Sequence, residues 1–337
     1  MSMDVKNDAV PAKAFLFNSI DNMMPKTEAD ILYKESFLNI AVFDKTLKKP
    51  VTYRKVESLS DSKVDAVLYS GMPYLGQNTE VFAYMGLPEG ASADHPVPGM
   101  VLVHGGAGKA EKDWVKLWND KGYAAIAFYW RESADYTGSD PAVSYVGGPR
   151  KNGYFNDYAA DIENQWMYHA VSDTILANTL LSSLPEVDSG KIGITGISWG
   201  GNITSYTMGI DNRFKFAAPV YGCAFLNEGS IVKGLNDKQA MWDAKNVIHR
   251  VTMPVLWING TEDGYFALDS TMLSYNATKL EKNIYIVKNL VHSQRQGATV
   301  NTIFHFADSI LKGGFTIAKP SIPEVNVNYA TFTYHSD

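Results

Sequence analysis

The hexapeptide Gly196-Ile197-Ser198-Trp199-Gly200-Gly201 sets one serine among glycines, where the apolar run KIGITGIS (191–198) meets a helical pattern. A Gly-x-Ser-x-Gly turn between strand and helix holds the serine on a bend too tight for side chains at the flanking glycine positions. The helix that follows favours negative charge at its N-terminus, beside the hydroxyl. Such a serine suits nucleophilic attack on a carbonyl carbon, which requires a base to accept its proton and a third group to orient that base. A five-residue match also arises by chance, so the partners decide its meaning. Where a serine sits on this kind of elbow, the acid and then the histidine follow it in the chain. The run PVLWING (254–260) is followed at once by Thr261-Glu262-Asp263-Gly264, and NIYIVKN (283–289) by Leu290-Val291-His292. Asp263 is the expected acid, a full turn beyond the strand end, with Glu262 as the alternative; otherwise these are solvated loop charges. His292 is the expected base, because His95 and His169 precede the serine and His249 precedes the acid.

An acyl-transfer site also needs donors for the oxyanion. The stretch VLVHGGAGKAEKDW (101–114) runs from an apolar strand into a glycine cluster with a lysine. It does not fit a nucleotide-binding loop: a Walker loop would need glycine where Val103 stands and a hydroxyl where Ala110 stands, and the dinucleotide pattern would need glycine in place of Glu111. His104-Gly105-Gly106 fits an oxyanion loop instead, with the backbone N–H groups of Gly106 and Trp199 as the expected donors. His104 is expected to tie the loop by a hydrogen bond, and Lys109 to be a solvated residue at a helix start.

These residues must be carried by a scaffold. The runs 64–70 and 79–88 read as strands separated by a Gly/Pro turn region, and the pattern then alternates: strand 100–106, amphipathic stretch 110–121, strand 123–130. A helical pattern spans 157–184, followed by strand 191–198, a helix from Trp199 to about Gly209, strands at 214–222, 254–260 and 283–289, and a last helix at 296–312. Strands alternating with helices predict an α/β fold with a mostly parallel central sheet covered by helices on both faces. Residues 1–60 read as an N-terminal extension packing on the main domain, 61–313 as the catalytic domain, and 314–337 as an extended tail. The segment 131–156, rich in Gly, Tyr and Ser and without a period, reads as a loop insertion beside the site. Trp130, Tyr136, Tyr145 and Tyr154 are its candidates for lining a substrate pocket, although such aromatics more often pack as core.

Composition narrows the class further. Of 337 residues, 45% are hydrophobic and 20% charged, the net charge is −6, and no extended basic run exists, so nucleic-acid binding is not indicated. No apolar stretch approaches the roughly 20 residues of a membrane helix. The polar N-terminus lacks a signal peptide's apolar region, which suggests a cytoplasmic location unless a leader was removed. The lone Cys223 follows an apolar run and reads as a buried structural thiol. The histidines do not stand at metal-ligand spacing, and no metal or cofactor is implied.

HGG, GISWGG, NGTED and VHS together resemble the α/β-hydrolase superfamily, and within it the acetyl xylan esterase and dienelactone hydrolase branch, over roughly residues 64–312. Dienelactone hydrolases use cysteine as nucleophile, and this chain has serine. Acetyl xylan esterases often carry Gln after the serine, where this chain has Trp199. The resemblance implies an α/β-hydrolase fold and a serine carboxylesterase that removes short acyl groups, such as acetyl, from a carbohydrate or other small alcohol. Two alternatives stand beside it. One is a serine peptidase of the prolyl-oligopeptidase type, whose usual N-terminal propeller is far larger than residues 1–60. The other is a hydrolase fold kept for binding alone.

Overall fold

The computed structural model describes residues 5–6, 40–130, 144–313, 324–325 and 329–331. The chain divides into two compact units, Lys34–Ile303 and a smaller one made of Met1–Tyr33 with Phe304–Asp337. The larger unit is built on strands β1 (Tyr53–Lys55), β2 (Val64–Ser70), β3 (Glu80–Gly86), β4 (Val97–Val103), β5 (Ala124–Phe128), β6 (Val187–Ile197), β7 (Ala217–Val220), β8 (Val255–Glu262) and β9 (Lys282–Val291). They form one nine-stranded sheet in the order β9-β8-β7-β6-β4-β5-β3-β2-β1. Pairing is parallel from β9 through to β5 and antiparallel from β5 to β1.

The central strands β4 and β5 carry unbroken apolar runs because both of their faces are covered: Met100 to Val103 and Ala124 to Phe128 are buried at every position. Helix α1 (Lys112–Asn119) turns Trp114, Val115 and Trp118 inward and packs near β5 and β3. Helix α2 (Trp166–Ser183) is buried along nearly its whole length, and α3 (Trp199–Thr207) is buried throughout. Helix α4 (Leu268–Ala277) lies by β8, and the last helical pattern splits into α5 (Gln294–Ala298) and α6 (Asn301–Leu311). The split follows from Thr299, whose hydroxyl bonds back to the carbonyls of Arg295 and Gln296 and closes α5.

Several boundaries differ from the sequence pattern. Helix α2 begins at Trp166 rather than Asp157, because the Asp157 carboxylate accepts the Trp166 N–H at 2.6 Å across an irregular segment. β1 falls within the segment read as an N-terminal extension, yet it pairs with β2 as the outer strand of the main sheet. The smaller unit holds a three-stranded antiparallel sheet of Val5–Lys6, Tyr329–Thr331 and Glu324–Val325, with Tyr329–Thr331 in the middle. The tail read as extended contributes two of those strands.

Candidate active site

The nucleophile candidate stands where β6 becomes α3. Ser198 takes φ 59° and ψ −119°, a conformation an L-residue adopts at a cost of about 1–3 kcal/mol. Two backbone bonds hold it there: its N–H donates to the Val220 carbonyl at 2.9 Å, and its carbonyl accepts from Asn202 at 3.0 Å. Gly200 allows the first turn of α3 to press on the end of β4, since a Cβ there would collide with the Val103 carbonyl. Val103 pairs with Gly196, so the residues after β4 arrive beside Ser198.

Sheet register delivers the other two groups. Glu262 pairs with Val291 at the ends of β8 and β9, so Asp263 and His292 leave adjacent strands side by side. That pairing depends on an irregularity between Val287 and Val291, centred on Asn289 at φ 61°, whose N–H bonds to the Thr261 hydroxyl at 2.9 Å. β9 therefore runs two residues past Asn289, where the apolar pattern ended.

His292 Nδ1 lies 2.6 Å from Asp263 Oδ2, and His292 Nε2 lies 2.8 Å from Ser198 Oγ. The Asp263 side chain is fully buried and that of His292 is 17% exposed. The other carboxylate oxygen, Oδ1, accepts the backbone N–H groups of Tyr265 and Phe266, both at 2.8 Å. Of the two candidate acids, Asp263 meets the histidine, while Glu262 stays exposed on the strand end. The imidazole packs among three rings: Tyr265 at 4.5 Å, Tyr221 at 4.9 Å and Phe266 at 5.9 Å between centroids. The Tyr221 hydroxyl donates to the Val291 carbonyl at 3.0 Å and supports the strand end just before His292. Burial first, and the nearby Asp263 charge second, push the Tyr221 phenol above its ordinary range, so it stays a donor.

The glycine loop is tied at three points. His104 Nδ1 donates to the Gly105 carbonyl at 2.7 Å, as expected of a structural histidine. Trp130 Nε1 donates to the His104 carbonyl at 2.8 Å. The Gly105 N–H donates to Gln294 Oε1 at 2.9 Å, so this amide is already committed to the protein. The N–H groups of Gly106 and Trp199, by contrast, meet no acceptor among the described residues. Gly106 also packs flat against the Trp199 indole, where a Cβ would strike Cδ1.

The four aromatic pocket candidates part ways. Trp130 is 1% exposed and stacks on His104 at 5.1 Å and Trp166 at 5.7 Å, so it supports the glycine loop from below and does not line a pocket. Tyr145 packs in an apolar cluster with Leu68, Phe82 and Tyr129, and is likewise core. Both corrections have one cause: each ring finds packing partners from distant segments and is more stable buried than in water. Tyr136 lies outside the described residues. Tyr154 is part-exposed and stacks on Trp199 at 5.9 Å, with the Lys151 ammonium 4.5 Å from the Trp199 ring. Cys223 is fully buried, and burial pushes its thiol pKa far up, away from reactivity. Among the described residues no cluster of three or more His, Cys, Asp or Glu could hold a metal, and no helix is long and apolar enough to cross a membrane.

Tyr221, Tyr265 and Gln294 were not singled out in the sequence. Gln294 stands two residues after His292, but nothing local shows that its side chain reaches Gly105.

The profile of the acetyl xylan esterase (AXE1) family matches residues 41–240, and that of PhoPQ-activated pathogenicity-related proteins matches residues 231–331. No curated protein matches the sequence. Among solved structures, the acetyl xylan esterase from Paenibacillus sp. R4 superposes with a TM-score of 0.66 at 18% identity, over 87% of this chain and 99% of that one. Acetyl xylan esterase 1 from Thermoanaerobacterium sp. JW/SL YS485 gives 0.60 at 16%, over 80% and 91%. An acylaminoacyl peptidase from Pyrococcus horikoshii gives 0.54 at 20%, over 83% of this chain and 45% of that one. These likenesses speak for the α/β-hydrolase fold. With the AXE1 profile spanning more than half its length, the chain belongs to the acetyl xylan esterase family and is a carboxylesterase-type hydrolase.

Proposed function

We propose that this protein is a serine esterase that cleaves short acyl esters of a carbohydrate or other small alcohol through a covalent acyl-enzyme. The observation that carries the reading is the continuous contact Ser198–His292–Asp263, at 2.8 and 2.6 Å. Ser198 Oγ attacks the ester carbonyl carbon as His292 Nε2 takes its proton. Asp263 holds Nδ1–H, leaving the Nε2 lone pair toward the serine, and stabilises the imidazolium that forms. The carbonyl oxygen becomes an oxyanion that accepts from Gly106 and Trp199 N–H. Collapse breaks the bond to the alcohol oxygen, which leaves with the proton from Nε2. Water then attacks the acyl-serine by the same path and returns the free serine.

A short acyl group suits the surroundings of the nucleophile. Ser198 is 9% exposed, and the indole of the next residue, Trp199, carries the Tyr154 ring stacked on it. The test is kcat/KM for aryl esters from acetate to decanoate together with labelling by a fluorophosphonate. We expect covalent labelling of Ser198 and a maximum at two to four acyl carbons. A rise through octanoate would remove the short-acyl reading, and absence of labelling would remove the nucleophile. The superposable acylaminoacyl peptidase makes aminoacyl anilides the control, and turnover of these above aryl acetates would favour a peptidase.

A further inference from the structure

The three rings around His292 are not equivalent. Tyr221 and Phe266 are buried, at 0% and 1% exposure, and suffice to pack the imidazole. Tyr265 has its ring 4.5 Å from the imidazole at 36°, yet it is 51% exposed. A large aromatic kept half in water normally drifts among rotamers on a loose loop. Here the backbone is clamped on both sides: its N–H donates to Asp263 Oδ1 at 2.8 Å, and its carbonyl accepts from Ile231 at 2.8 Å. Ile231 is itself 37% exposed, and its neighbour Ser230 bridges to Phe266. The same carboxylate that orients the base thus fixes an open aromatic face next to it.

Position assigns that face a partner. In the proposed reaction the departing alcohol takes its proton from His292 Nε2, so the alcohol must lie beside the imidazole rather than on the Gly106–Trp199 side. We infer that Tyr265 is a specificity-determining platform for the leaving group, stacking on a ring-shaped alcohol such as a pyranose sugar. Sugar rings present a C–H face that fits a flat aromatic surface. Small aliphatic alcohols cannot cover it. The inference rests on the esterase reading and adds to it the residue that recognises the alcohol.

The experiment compares fully acetylated methyl xyloside with ethyl acetate, which share an acyl group and therefore a common acyl-enzyme. The readout is the ratio of kcat/KM for the sugar ester to that for ethyl acetate, in wild type, Tyr265→Phe, Tyr265→Leu and Tyr265→Ala. Phe keeps the flat face and should keep the ratio. Leu and Ala should lower it about fivefold, through KM more than kcat, and Leu retains apolar cover for the imidazole should Ala fail to fold. An unchanged ratio in Leu, with both substrates slowed alike, would show that Tyr265 only shields His292 and would overturn the platform. Wild-type protein that cleaves ethyl acetate but not the sugar ester overturns it too. Wild-type protein that cleaves neither ester and resists fluorophosphonate overturns the esterase reading itself.

Discussion

Replacing Asp263 by Asn changes one atom in the site, and the structure dictates which way the new amide must face. Asp263 Oδ1 accepts two backbone N–H groups, from Tyr265 and Phe266. An asparagine must keep its carbonyl oxygen there, because its NH2 would oppose two donors. The NH2 is then aimed at His292 Nδ1, 2.6 Å away in the native site. The imidazole answers by presenting its Nδ1 lone pair, which moves its proton to Nε2, facing Ser198. A protonated Nε2 cannot accept from the serine. Loss of the tautomer in a Ser-His-Asp site costs about 10⁴ in kcat, or about 5 kcal/mol of transition-state stabilisation. Stability should suffer less, since both backbone bonds survive and lose only their charge assistance, about 2 kcal/mol together. The assay is kcat/KM on 4-nitrophenyl acetate, with urea unfolding to verify that the variant is folded. Glu262→Gln, on the exposed end of β8, should stay within about twofold, as exposed side chains usually do. A folded Asp263→Asn within tenfold of wild type would refute the tautomer argument, and Glu262→Gln as the worse variant would make Glu262 the acid.

The backbone strain at Ser198 separates two nucleophile variants: Ser198→Ala and Ser198→Gly should both lose several orders of magnitude in kcat. Glycine should nonetheless be the more stable by about 1 kcal/mol or more, because φ 59° costs it little; equal urea midpoints would argue against strain. Gly106→Ala should lower kcat about 10²- to 10³-fold, since its Cβ meets the Trp199 indole and displaces the donor; a near-wild-type rate would place the oxyanion elsewhere. His169 is buried, and desolvation lowers its pKa from an ordinary value of 6.5 to about 4, its bond to the Glu163 carbonyl opposing only in part. Below 6.5 the unfolded chain binds a proton that the folded chain refuses, so stability should fall by up to about 3 kcal/mol as pH drops toward 4. Urea unfolding of wild type and His169→Gln at pH 7 and 4.5 checks this, the variant losing less.

How much of this was legible beforehand follows from the range of the interactions concerned. The elbow was legible because its requirement is local: a strand, a tight turn and a helix start are properties of ten consecutive residues, and glycines at 196 and 200 are the sequence form of a backbone contact. The order of serine, acid and histidine reads off a chain whose parallel strands each end at the same sheet edge. Eight of the nine strands were visible as apolar runs, because strands covered on both faces have little polar alternation to hide them; the outermost, Tyr53–Lys55, is exposed along its length and left no such signal.

Tertiary structure decided what spacing along the chain could only suggest. The spacing after the strand favours Asp263 over the adjacent Glu262, but its meeting with His292 needs the bulge at Asn289, which sets Val291 opposite Glu262. Trp130, Tyr145 and Tyr154 border or lie within the segment 131–156, yet two are core and one stacks on Trp199. An aromatic ring is driven to bury itself wherever partners exist, and those partners (His104 and Trp166 for Trp130, Leu68 and Phe82 for Tyr145) come from distant segments. Gln294 on Gly105 spans 189 residues. No pattern along the chain encodes such a contact, because it exists only once the sheet has brought the ends of β4 and β9 to one edge.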